Sequence, residues 1–271
     1  MTDTMFDACF AVARAMGILK MGTADSSGST TTLVDSNIGG DDDDWNGGTL
    51  WHIDDGEYSE ISDYVESTGA ITILDELSAA TESGDRYAIS DKEYPLDAIQ
   101  NAVNDVLTSI RYPKVDTSTI SISANQSEYT LPSDCHDLRQ VYFQTQDDDN
   151  EHDWVPFNNF DVEKTATGSA DTLILNHHEI TAGYSVKLVY VGWHSALYSA
   201  TSQIDESIDI RRIVPGAVVN LIYRNLQDMN KASESIDKFI DRWERRAEFA
   251  RIRFPIRLPP KMGKITALGS D

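Results

Sequence analysis

The sequence predicts an α+β protein: a helical bundle assembled from N-terminal, central and C-terminal segments, with barrel- or sandwich-like β insertions and an extended C-terminal tail. Three observations predict it. Apolar residues recur at 3–4 spacing in four separated stretches. Short alternating segments bounded by Gly and Asp fill the intervals between them. Three prolines, Pro255, Pro259 and Pro260, follow the last helical stretch and exclude another helix there. Helices far apart in sequence bury their apolar stripes most simply against one another. The expected boundaries are 1–20, 95–113 and 207–254 for the bundle, 31–90 and 117–195 for the two β regions, and 255–271 for the tail.

Taken in order, residues 3–16 place Phe6, Cys9, Phe10, Ala13 and Met16 near one helical face. The stretch "MGTADSSGSTTT" (21–32) reads as a polar loop. Five short strands follow: "TTLVDS", "TLWHI", "YSEISDYVE", "AITIL" and "DRYAIS". Pro95 can open the central helix, Asp97 suits the positive end of its dipole, and Leu96, Ile99, Val103, Val106, Leu107 and Ile110 form its stripe. Pro113 is expected to end it. The second β region offers "STISIS", "SEYTLP", "RQVYFQTQ", "DTLILN", "EITAG" and "VKLVYVGWH", with "QDDDNEHDWVPF" as a hairpin tip. "SATSQIDESIDI" is a polar connection. Pro215 lies near the start of a third helix that carries Val218, Leu221, Ile222 and Leu226 and ends near Asp228–Asn230. A fourth runs from about Ser233 to Arg253, with Ile236, Phe239, Ile240, Trp243, Ala247, Ala250 and Phe254 at helical spacing.

Charge narrows the function classes. The net charge is −23, with 31 Asp, 14 Glu and only 9 Lys, which suits solubility in strong salt and fits a halophilic or marine source. Residues 1–206 hold 37 of the 45 acidic side chains, whereas residues 207–271 hold 13 of the 22 basic ones. That asymmetry directs the C-terminal end toward an acidic or mixed partner surface. The overall negative charge opposes phosphate, so contact with genomic DNA is at most transient. No apolar run reaches the roughly 18 residues that suggest a membrane span, and the N-terminus lacks the basic start of a secretory signal. Cys9 and Cys135 read as free thiols of the interior.

Chemical motifs are sparse. From Asp42 the sequence matches the first half of a calcium loop, with Asp42, Asp44 and Asn46 at alternate positions. The twelfth position is Ile53, so the bidentate carboxylate is missing, and strands rather than helices flank the run. An acidic turn on a β insertion is the expected reading, and no metal or other cofactor is assigned. None of His52, His136, His152, His177, His178 and His194 stands at metal-ligand spacing. "SDCHD" (133–137) sets Cys135 beside His136, but adjacency in sequence is not the geometry of a nucleophile and its base. Phosphate loops, dinucleotide loops and nucleophile elbows are absent. The chain reads as a non-enzyme.

Several of these stretches together resemble the head–tail connector, or neck, adaptors of tailed viruses: "YPLDAIQNAVNDVLTSIRYPKVD", "YTLPSDCHDLRQVYF", "IVPGAVVNLIYR" and a long arginine-bearing helix ending in "RFPIRLPPK". The resemblance implies a structural virion protein at the portal vertex, forming a ring, usually twelve-fold, around the genome-exit channel. It implies a portal protein, a further tail component and copies of itself as partners, and no membrane. Carried onto this sequence, Arg242, Trp243, Arg245 and Arg246 lie on the ring helix. Arg251, Arg253, Phe254, Ile256, Arg257, Leu258, Lys261, Lys264 and Ile265 belong to the portal-docking end. The alternatives are another tail or baseplate component, or a carbohydrate-binding β protein using Trp45, Trp51, Trp154 and Trp193 as a sugar platform.

Overall fold

The computed structural model describes residues 2–144, 154–164, 170–176, 183–229 and 234–261. Along the chain run α1 (Met5–Met16), β1 (Leu19–Thr23), β2 (Ser26–Ser29), β3 (Thr32–Val34), β4 (Thr49–His52), β5 (Glu57–Val65), β6 (Ala70–Ile73), β7 (Arg86–Ser90) and α2 (Leu96–Leu107). Then come β8 (Arg111–Ser121), β9 (Glu128–Thr130), β10 (Asp137–Gln144), β11 (Trp154–Phe157), β12 (Phe160–Glu163), β13 (Thr172–Leu175), β14 (Ser185–Trp193), α3 (Ile210–Met229) and α4 (Glu234–Arg253). The protein is α+β, and all its strand pairings are antiparallel among the described residues. Contacts divide it into two compact units. One joins the residues up to Ser109 with Ser195–Pro255, and the other joins Ile110–His194 with the described residues from Ile256.

In the first unit, α1 begins with a capping box. The Thr4 hydroxyl accepts from the Asp7 N–H, and the Asp7 carboxylate accepts from the Thr4 N–H. Gly17 ends the helix in the left-handed region at φ 73°. The seven strands form one sheet in the order β1-β7-β4-β5-β6-β3-β2. A flat sheet of that size would put its edge strands about 29 Å apart. Yet only Ala24 and Asp25 connect the edge strands β1 and β2, a link that spans at most about 11 Å. The sheet must therefore curl until its edges approach. Leu33, Leu50, Ile61, Ile71 and Ile89 fill the inside. The outside of β4 is buried too: Trp51 packs against Phe6, Phe10 and Tyr58 and donates to the Ser90 hydroxyl.

The helices of this unit pack pairwise: α1 against α2 and α3, α2 against α3, and α3 against α4. Ile99, Ala102, Val103 and Leu107 are the buried face of α2. Gly216 on α3 stands close to α2, where an added Cβ would come within 3.1 Å of the Val106 side chain. The connection from Ser195 to Asp209 is tied down at two points. Asn104 exchanges two 2.8 Å hydrogen bonds with the Leu197 backbone, and the Met5 N–H donates to the Ser202 carbonyl.

The second unit is two sheets around one core. The order β11-β10-β14-β8 makes one and β12-β13-β9 the other. Ile120, Val141, Val186 and Leu188 from the first meet Tyr129, Leu173 and Leu175 from the second.

Three readings of the sequence change here. The expected loop 21–32 contains β1 and β2. The central helix closes at Leu107, with Thr108 as its cap, and Pro113 lies inside β8 opposite Val191. It is accommodated because β8 is an edge strand, where a missing N–H can face away from the ladder. The stretch Phe160–Glu163 adds β12, and Trp154–Phe157 of the expected hairpin tip is β11. The rest of that tip, most of "EITAG", His152, His177, His178 and the end of α3 at Asn230 lie outside the described residues.

Candidate functional site

The sequence directs attention to α4 and the segment after it. Ile240, Trp243 and Ala250 bury one side of α4, which packs on α3. Arg242, Arg245, Arg246, Arg251 and Arg253 are all exposed, as are Phe249 (60%) and Ile252 (73%). Arg246 lies 4.5 Å over the Trp243 ring, so one arginine of the expected ring helix is held flat by the buried anchor beside it.

The exit from α4 is fixed by two residues that the sequence reading passed over. Arg212 of α3 donates through Nη1 to the carbonyls of Arg251 (3.2 Å) and Phe254 (2.9 Å). It thereby satisfies orphan acceptors at the helix C-terminus, where a cation also suits the dipole. Burial, and then the charge of Arg251, lower its pKa from the ordinary arginine value. Arg211 stacks 4.3 Å from the Phe254 ring while paired with Asp209. Two arginines in the first turn of α3 run against the preference for acids at a helix start. That mismatch was the available signal that they serve another element.

Beyond Pro255 the chain has no regular secondary structure as far as Lys261. Ile256 is half-buried, whereas Arg257 and Leu258 are exposed. The Pro260 carbonyl accepts from Gln140 Nε2 at 3.2 Å, and Lys261 Nζ lies 3.0 Å from Asp137 Oδ1. Both partners sit in the first half of β10, whose ladder with β11 begins only at Val141. Lys264 and Ile265 lie outside the described residues.

The other candidates resolve into structural roles. In the aspartate run, Asp42 Oδ1 accepts from the Glu66 N–H, Asp44 Oδ2 from the Asp41 N–H, and Asp43 Oδ1 from Asn46 Nδ2. These carboxylates shape a turn in which Asp43 has φ 66°, and no cluster of potential metal ligands occurs among the described residues. Trp45 braces the turn by donating to the Gly39 carbonyl, under the Lys20 ammonium. Of the tryptophans weighed as a sugar platform, Trp51 is fully buried and cannot stack on a sugar. Burial pushes the Cys135 thiol up to about 12, and Cys9 higher still, so neither is a ready thiolate. His136 packs against Trp193, and His52 is buried between Asp55 and Asp85.

A family comparison bears on the arrangement of α2, the second unit, α3 and α4. The model of the SU10 adaptor protein family matches residues 72–252, from β6 through almost all of α4. The aspartate run and the segment after α4 fall outside the match. No curated protein matches the sequence. Because the match spans well over half of the chain, the likeness to head–tail adaptors of tailed viruses stands at the level of family: the chain belongs to the SU10 adaptor protein family, a family of structural adaptors.

Proposed function

We propose that the chain is the subunit of a twelve-fold ring that joins the portal to the next tail component and lines part of the genome-exit channel. One observation carries this reading. The arginine-rich helix α4 ends in a proline-bearing segment without regular secondary structure, and arginines of α3 clamp the junction between them. Such a segment, with Leu258 and the cations Arg257 and Lys261 exposed, is suited to lie in a groove or along a sheet edge of another chain. The acidic body of the subunit suits a channel that must let DNA slide rather than hold it. At the docking end the anchors are Phe254, Ile256 and Leu258, with Arg251, Arg253, Arg257, Lys261 and Lys264 as charged contacts and Ile265 as a further apolar one.

Deleting residues 255–271 is expected to abolish retention on immobilised portal rings while leaving circular dichroism and thermal unfolding of the remainder unchanged. A truncated chain that still docks with wild-type affinity refutes the assignment. Imaging of intact particles tests the location. Density for the chain at the baseplate, away from the portal vertex, favours the reading as a different tail component.

A further inference from the structure

Helix α4 gathers most of its charges into two stripes, with Arg251 at the edge of the acidic one. At about 100° per residue, Asp237, Asp241, Glu244 and Glu248 fall along one line, and all four are exposed. Arg242, Arg245, Arg246 and Arg253 share another line with the exposed Phe249 and Ile252, centred roughly 110° further round. Like charges therefore stand four residues apart at Asp237–Asp241, Arg242–Arg246 and Glu244–Glu248. Each such pair disfavours an isolated helix.

The acidic stripe forms one wall of a groove of about 440 Å³ between α2, α3 and α4. Asp105, Glu244 and Glu248 line it with Arg251, and Val106 and Val219 form its apolar floor. Some of these acids already have a partner: Asp105 pairs with Arg224 at 2.7 Å, and Glu244 accepts from the Tyr223 hydroxyl at 3.0 Å. The groove thus combines an apolar floor with acidic walls. The other stripe of the same helix combines apolar tips with arginines.

We propose that this groove receives the arginine–Phe249–Ile252 face of α4 from a second copy of the chain. This rests on the ring reading above and names its contact. Charge complementarity selects the occupant, since the groove acids repel phosphate and attract guanidinium. Each copy then offers its groove to one neighbour and its ridge to the other. Such a heterologous contact propagates head to tail and closes into a ring when the rotation between copies closes.

The test is sedimentation equilibrium of the full-length chain at low salt. The exchanges E244K/E248K in the groove and R242E/R245E on the ridge should each weaken self-association by roughly tenfold or more, and added salt should weaken the wild type. Mixing the two variants offers one native ridge–groove junction and one with both charges exchanged, so the mixture should regain assembly that neither variant shows alone. A chain carrying all four exchanges should regain association. F249A/I252A should weaken assembly with an unchanged melting temperature, because both side chains are exposed. The proposal is overturned if the charge variants assemble like the wild type or the mixture associates no better than either variant alone. It is also overturned if the wild type stays monomeric at millimolar concentration, or if the groove variant loses only portal retention. Rings that still form on the portal with either charge variant refute this contact and leave the ring reading standing. A single wild-type copy per portal refutes both.

Discussion

Asn104 shows what one polar residue can hold in place. It sits inside α2, where Asn is a poor helix former, and only 7% of it is exposed. Its amide donates to the Leu197 carbonyl and its side-chain oxygen accepts from the Leu197 N–H. It therefore acts as one rung of a β ladder for a connection that has no strand to pair with. Asn104→Ala should destabilise the protein by about 2 kcal/mol in chemical denaturation, because both Leu197 groups lose their partner. Asp134 is a second such residue. Burial alone would raise its pKa, but hydrogen bonds from Lys114 (2.6 Å) and Tyr190 (3.0 Å) outweigh that and lower it below the ordinary 3.8. A carboxyl lowered in the folded state adds stability above its unfolded pKa and loses it as pH falls through the folded value. The melting temperature of the second unit should fall as pH drops below about 4, and Asp134→Asn should flatten that dependence.

At the scale of elements, the contact between α1 and the curled sheet centres on Trp51. Trp51→Ala removes a fully buried ring that touches Phe6, Phe10 and Tyr58. It should cost about 4 kcal/mol, read as a lower denaturation midpoint. Both partners of this contact were legible in the sequence, α1 from its 3–4 apolar spacing and β4 from "TLWHI". The helix α4 was also legible from Ile240, Trp243 and Ala250. The strands β1 and β2 were not, because their glycines signal turns and here serve close approach. A Cβ on Gly22 would come within 2.3 Å of the Tyr87 ring, and one on Gly28 within 2.0 Å of the Thr32 carbonyl oxygen. With small polar residues on an edge, neither strand shows alternation. Proline misled in the other direction at Pro113, since an edge strand tolerates what a helix does not. At the site, the basic character of α4 could be read from composition. Which of its charged stripes borders a groove, and the reach of Arg212 across to the end of α4, depend on which side α3 covers.

For the whole molecule, charge and architecture have separate tasks. Most of the acid lies in the first 206 residues and most of the base in the last 65, so the C-terminal part is where an otherwise repulsive chain can meet a partner. The second unit is inserted into the sequence of the first, between Ser109 and Ser195. Its ends are joined: Arg111 pairs with Trp193 across β8 and β14, and the His194 N–H donates to the Ile110 carbonyl. This has a consequence for the order of events during synthesis. The inserted unit has all of its strands available before α3 leaves the ribosome, so its sheets can close first. Once they close, the chain between α2 and α3 behaves as a loop of about 20 residues instead of roughly 100, which lowers the entropic cost of bringing those helices together by about 1.5 kcal/mol. The insertion thus works as a clasp that hastens completion of the unit it interrupts.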